Sequence, residues 1–220
     1  MTDGRGSRAI GAYWDAAASS FDDEPDHGLR AAGTREAWVR RIREWLPAGP
    51  VEVLDVGCGT GSLAELVAAN GHRVTGVDLA PRMVARARAK LAAAGLPGRF
   101  LVGDAGAPPV RESGFDVLLC RHLVWTLPEP ERALDAWVRL LRPGGRLVLV
   151  EGRWREAGGR VEPYVAGAGR LPWDGGVGAE QLAAAVRPLV ARLRIVPLSG
   201  EAELWGGPVT DERYALVADR

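Results

Sequence analysis

From residue 51 to residue 151 the chain alternates short apolar runs with longer segments whose apolar positions recur every three or four residues. The run 51–56 predicts a strand. Residues 60–70 predict a helix with Leu63, Leu66 and Val67 turned inward, and 73–78 a second strand. Pro81 stands at a first helical position, and that helix runs to about residue 94. Residues 99–103 and 115–120 read as the third and fourth strands. Leu134, Trp137, Val138 and Leu141 keep i, i+3, i+4, i+7 spacing in a helix over 129–141. RPGG at 142–145 stops it, and 146–151 is the fifth strand. Such alternation predicts a parallel sheet covered by helices on both faces.

The flanks follow other patterns. Residues 9–21 form an Ala-rich helix, followed by the acidic loop DDEPDHG. Thr34 is placed to cap the next helix, which carries Trp38, Ile42 and Trp45 on one face and stops before Pro47. Residues 152–177 are rich in glycine and contain Trp154, Tyr164 and Trp173; a loop of that length is usually functional or mobile. A helix over 179–189 precedes two strands, 192–196 and 213–218, with LWGGP turn chemistry between them. With no long crossover helix they pair antiparallel. We read one domain overall: a helical lid or cap at 1–46, a ligand-binding α/β body at 47–220, and a substrate-side insertion at 152–177.

Composition narrows the function classes. The 220 residues, about half apolar, suffice for one sizeable core. A formal net charge of zero gives no global field toward nucleic acid or acidic membranes. No run is long enough to span a bilayer, and MTDGRGSRAI lacks the apolar core of a signal peptide. Cys58 and Cys120 are too few for a disulfide framework and are expected as free thiols, which suits a cytoplasmic location. Lys90 is the sole lysine among 28 basic residues, a bias read as genomic composition.

The stretch VLDVGCGTGSL runs from a strand through Gly57, Gly59 and Gly61 into a helix. Such a turn usually holds a phosphate, and dinucleotide enzymes share it. Its neighbours favour another ligand. Asp55 lies within a strand expected to be buried on both faces, where a carboxylate needs a partner. It would repel a pyrophosphate two residues away and attract a cation. Asp78 ends the second strand, where a carboxylate can accept both ribose hydroxyls. Asp104 follows the third, placed to accept from an exocyclic amine. Three carboxylates at three strand ends suit a nucleoside joined to a positive group.

In this order, LDVGCGTG, GVDLAPRMV, GDA, FDVLLCRHLVWTLPEP and LLRPGGRLVLVE resemble the consecutive motifs of class I S-adenosylmethionine-dependent methyltransferases, the UbiE-like small-molecule branch above all. The resemblance is close over 50–151. It implies a Rossmann-like seven-stranded sheet of order 3-2-1-4-5-7-6, mostly parallel, with its last strand antiparallel. It implies S-adenosyl-L-methionine as cofactor, S-adenosyl-L-homocysteine as product, and a small-molecule acceptor. The carbonyl of Gly57 would take the ligand's ammonium, with Cys58 and Gly59 lining the close approach. Asp78 would bind the ribose, with Leu79 and Met83 on either side of the adenine. Asp104 would take its amino group, and Ala105 would close that edge. Cys120 would offer a carbonyl near the ammonium, and Tyr13 resembles the aromatic that closes over the methionine end.

His122, just past the fourth strand, is the candidate base, although a packing or local bonding role fits the pattern too. Trp125, Trp154 and Trp173 suit a flat or hydrophobic acceptor, or equally serve packing. Arg121 faces the methionine carboxylate, the acceptor or solvent. His27 in DDEPDHG reads as part of a solvated lid loop rather than a metal site, and no metal is expected. Protein and nucleic-acid methylation are disfavoured, with no basic stripe and no extra recognition domain. The chain is expected as a monomer or homodimer. Two other functions compete: a dinucleotide-dependent oxidoreductase, and a non-catalytic regulatory protein that binds S-adenosylmethionine.

Overall fold

The computed structural model describes residues 4–154, 165–166 and 170–220. The middle of the expected 152–177 insertion, Tyr164 included, lies outside the described residues. Seven strands form one sheet, β1 (Glu52–Val56), β2 (Arg73–Asp78), β3 (Arg99–Val102), β4 (Phe115–Arg121), β5 (Leu141–Arg153), β6 (Arg192–Pro197) and β7 (Glu212–Asp219). Their order is β3-β2-β1-β4-β5-β7-β6. β1 to β5 pair in parallel, and β7 runs antiparallel to both β5 and β6. The helices are α1 (Gly4–Ala17), α2 (Pro25–Gly28), α3 (Ala32–Trp45), α4 (Ser62–Ala69), α5 (Pro81–Ala93), α6 (Pro130–Leu140), α7 (Ala179–Val186) and α8 (Ala202–Trp205).

Each strand sends alternate side chains to opposite faces. Val53, Val148 and Val150 join Trp38, Ile42, Leu66 and Leu91 on the face covered by α3, α4 and α5. Leu54, Val56, Leu147 and Leu149 join Leu134, Trp137, Leu182 and Val186 on the face covered by α6 and α7. Both layers are apolar, so the central strands are hydrophobic over most of their length, as parallel sheets require, with Asp55 in β1 and Glu151 in β5 the charged exceptions among the buried positions. The Trp stripe of α3 is core: Trp38 and Trp45 are buried. Trp38 donates its Nε1–H to the carbonyl of Leu204 at 3.0 Å.

Four boundaries differ from the expectation. α3 begins at Ala32, so Thr34 does not cap it but lies buried inside its first turn. β4 runs one residue further, to Arg121. RPGG ends α6 at Leu140 but is itself drawn into β5, with the register slipping between Phe115 and Val117. Finally, the connection from β6 to β7 holds the short helix α8, stopped by Gly206 at φ 76.

Candidate functional site

The carboxyl edge of β1 is where the chain must turn sharply. Gly57, Gly59 and Gly61 have φ of 70, 51 and 79, a region that side chains disfavour. Two of them are also closely packed. A Cβ on Gly57 would lie 2.7 Å from Leu123, and one on Gly61 would lie 2.8 Å from Ala87. The turn is tied to β2: the N–H groups of Gly57 and Cys58 donate to the carbonyl of Val77 at 2.8 and 3.1 Å. Asp78 completes the tie. Its Oδ2 accepts from Gly59 N–H and its Oδ1 from Ala80 N–H, both at 2.9 Å. Burial pushes its carboxyl up, against the pull of these N–H groups.

Above this edge lies a cavity of about 250 Å³. Of the expected residues, Asp55, Gly57, Cys58, Gly59, Asp78, Leu79, Met83, Asp104 and Ala105 line it, as do Arg121, His122, Trp125 and Trp154. The sheet order sets its polarity. Asp78 and Asp104 mark the end over β2 and β3, while Arg121 to Trp125 and Trp154 mark the end over β4 and β5.

Three expected members lie elsewhere. Tyr13 is 47% exposed, and the helical turn of α1 presents Ile10 and Trp14 to the cavity instead. Cys120 is fully buried within β4, between β1 and β5. Because β4 is longer than expected, Arg121 rather than Cys120 reaches the open edge. Trp173 is packed with Val177 and Leu182 in the core over α7.

Asp55 carries the most informative charge. It is 3% exposed, lines the cavity, and its Oδ2 has no hydrogen-bond partner among the described residues. Burial raises its carboxyl to about 7, with Arg121 opposing and Asp78 adding to the shift. Arg121 itself is occupied. Its guanidinium lies 5.1 Å over the Trp38 ring and donates to the carbonyls of Asp26 and His27.

His122 sits just past β4 with φ 56, a strained backbone for a residue with a side chain. Its N–H donates to Val150 at 2.9 Å, and its carbonyl accepts from Trp125 Nε1 at 3.2 Å. Both ring nitrogens are buried without a partner among the described residues. Burial, with the nearby positive charge of Arg121 and Arg213, holds the imidazole well below its ordinary pKa, so it is neutral at pH 7. Trp154 stands edge-on to it at 5.0 Å.

Two site features were not read from the sequence. Glu151, at the end of β5, is wholly buried; its Oε1 accepts from the N–H groups of Leu123 and Val124, each at 2.8 Å. The second lies in the DDEPDHG loop, which is only partly solvated: Asp23, Glu24 and Pro25 are exposed, but Asp22 and Gly28 are buried. Asp22 is buried, with Lys90 Nζ 2.9 Å from its Oδ2 and the Thr60 hydroxyl donating to its Oδ1. The only hint was a sole lysine on a helix following the glycine turn. Among the described residues no cluster of three or more metal-ligating side chains occurs, and no helix is long and apolar enough to cross a membrane.

Residues 54–149 match the family model described as a methyltransferase domain. A demethylmenaquinone methyltransferase of Thermus thermophilus is 40% identical over 126 residues, 56% of this chain and 57% of its own length. A ubiquinone biosynthesis O-methyltransferase of Xanthomonas axonopodis pv. citri is 36% identical over 62% of this chain and 54% of its own length. The chain thus spans a little over half the length of these curated relatives. Among solved structures, the [4+2]-cyclase SpnF is 25% identical with a TM-score of 0.73, covering 96% of this chain and 94% of that one. The seven-stranded order, the glycine turn and these likenesses agree: residues 54–149 form a methyltransferase domain, and its motifs are those of the class I S-adenosylmethionine-dependent enzymes, UbiE-like in sequence.

Proposed function

We propose that the chain transfers a methyl group from S-adenosyl-L-methionine to a small-molecule acceptor. The observation that carries this reading is the buried Asp55 carboxylate, facing the cavity beside the glycine turn with one oxygen unpartnered. A pyrophosphate there would meet a like charge; an ammonium would supply the missing donor. Asp78 would hold the ribose, and Leu79, Met83, Asp104 and Ala105 the adenine. The lid role of residues 1–46 belongs to the same proposal. Trp14, not Tyr13, is the aromatic of α1 that would close the cavity. A reducing compartment is supported by Cys58 and Cys120, both buried free thiols.

S-adenosyl-L-methionine brings an already activated methyl group, so the chain need supply no electrophile. Its residues would orient the acceptor, exclude water and take up a proton. Orientation can provide about 7–11 kcal/mol in the best cases. Trp125, Trp154 and the N-terminal segment wall off the acceptor end. The neutral ring of His122 has a free lone pair to receive a hydroxyl proton.

Calorimetric titration tests the cofactor assignment. S-adenosylhomocysteine is expected to bind and NAD or NADP to give no heat; the reverse result would return the chain to the dinucleotide class. Asp78→Asn is expected to weaken S-adenosylhomocysteine about tenfold, the difference between a charged and a neutral acceptor. Unchanged affinity would put the ribose elsewhere. His122→Gln is expected to lower turnover by about a hundredfold, the low end for general acid–base catalysis. Its affinity for S-adenosylhomocysteine should stay unchanged, and turnover equal to wild type across pH would remove His122 from the chemistry.

A second reading keeps the ligand but changes the chemistry. Its support is the likeness to SpnF, a cyclase by name, over nearly the whole chain. Release of S-adenosylhomocysteine during turnover of an acceptor panel separates the two.

A further inference from the structure

The acceptor end of the cavity has a second imidazole. His27, on α2, lines the cavity together with His122 and Phe21. Three ring nitrogens at this end are buried without a partner among the described residues: Nδ1 of His27 and both nitrogens of His122. Desolvation lowers the pKa of both rings, outweighing the opposing charge of Asp26 on His27. A neutral imidazole presents one N–H donor and one lone pair. Burying such groups unsatisfied is costly; Nδ1 of His72 is buried unpartnered too, but it does not line the cavity, whereas at His27 and His122 a ligand's polar groups can complete the bonding.

His27 is not a mobile surface side chain. Its ring lies flat on Phe21, with centroids 4.3 Å apart and planes 8° from parallel. The segment bearing it is fastened on both sides. Before it, Asp22 is held by Lys90 and Thr60. Around it, Arg213 Nη1 lies 3.5 Å from Asp26 Oδ2, and Arg121 donates to the carbonyls of Asp26 and His27. The sole lysine of the chain therefore serves to seat the segment that carries His27. Opposite stand Trp125 and Trp154, ring centroids 6.0 Å apart.

Resting on the methyltransferase reading, we propose that His27 is an acceptor-binding residue which, with His122, holds the polar edge of a flat, uncharged, hydroxyl-bearing acceptor against the Trp125–Trp154 wall. His27 is tied to the β4 end, where its carbonyl accepts from Arg121 and its ring lies close enough to His122 to act on it, and this assigns it to the acceptor side, with Phe21 beneath it reaching toward Met83. Its flat stack with Phe21 fixes the ring plane, so its donor and lone pair select a hydroxyl by direction. The buried carboxyl of Asp55 and the half-buried carboxyl of Asp78 in the same cavity disfavour an anionic acceptor.

The chain has three histidines, and His72 does not line the cavity, so it is an internal control. The test titrates 2-naphthol and 2-naphthoate into protein with ring-labelled histidine, with and without saturating S-adenosylhomocysteine. NMR follows the three Cε1–H signals. We expect 2-naphthol to move the His27 and His122 signals and leave His72 in place, with 2-naphthoate at least about tenfold weaker. In His27→Gln and His27→Ala, 2-naphthol should bind about tenfold more weakly while S-adenosylhomocysteine keeps its affinity. Movement of His122 alone, no movement at all, or equal binding of the naphthoate overturns the proposal. So does an equal loss of S-adenosylhomocysteine affinity in the His27 variants, which would place the ring on the cofactor. Failure of S-adenosylhomocysteine to bind, with both ring signals still responding to 2-naphthol, sinks the cofactor reading alone.

Discussion

Asp55→Asn is expected to weaken S-adenosylhomocysteine by one to two orders of magnitude and to remove the pH dependence of its binding. In the wild type, burial raises the Asp55 carboxyl to about 7. Below that pH the ligand-free protein holds a neutral acid, and a bound ammonium must first expel its proton. Binding therefore releases protons near neutrality, and affinity should fall by up to about tenfold per unit as pH drops below about 7. Asparagine keeps the shape and one acceptor oxygen but has no proton to release and no charge. The loss matches a charge-assisted hydrogen bond of about 1.5–3 kcal/mol. Titrations between pH 6 and 8 in buffers of differing ionisation enthalpy report both quantities. A variant with wild-type affinity and the same proton release would detach Asp55 from the ligand.

That carboxylate was legible in the sequence because it broke a pattern. An Asp within a strand buried on both faces demands a reason, and the next three glycines supplied the place. The sheet was legible for a related cause: the helices between strands kept a clear period, as in Leu134, Trp137 and Val138, and the strands did not. What escaped were features made by contacts distant along the chain. Trp14 rather than Tyr13 faces the cavity because the rotation of α1 is set by packing against α5. Residues 22–28 look solvated by composition, yet Asp22 is buried by Lys90, 68 positions away by numbering. Trp173 reads like a pocket residue, and only the core over α7 shows where it goes. Single-residue boundaries also mattered, since one more residue in β4 exchanged Cys120 for Arg121 at the edge.

Glu151 presents the same lesson in energetic form, and its substitution is expected to have the largest effect on stability. Its Oε1 serves two backbone N–H groups, those of Leu123 and Val124, while Oε2 has no partner among the described residues. Burial raises the carboxyl from 4.5 to about 8. The folded protein therefore keeps the proton through a range in which the unfolded chain has lost it. Stability is full below about 4.5 and is lost progressively as pH rises to about 8, by as much as about 5 kcal/mol on linkage grounds. Glu151→Gln retains the acceptor oxygen and cannot ionise. Relative to wild type it should gain stability steadily between pH 5 and 8, and urea unfolding at several pH values reads that difference directly. Parallel stability curves would show that Glu151 is not protonated in the fold. Glu151→Ala instead strands both N–H groups in the core, at about 1–3 kcal/mol each, and should destabilise at every pH. The turn that these N–H groups anchor is the one that holds His122 at φ 56. A buried acid that weakens the fold at neutral pH is intelligible if its task is to hold that backbone strained, with the imidazole facing the acceptor. In the glutamine variant His122 should then keep its NMR signal and its turnover, and in the alanine variant it should lose both.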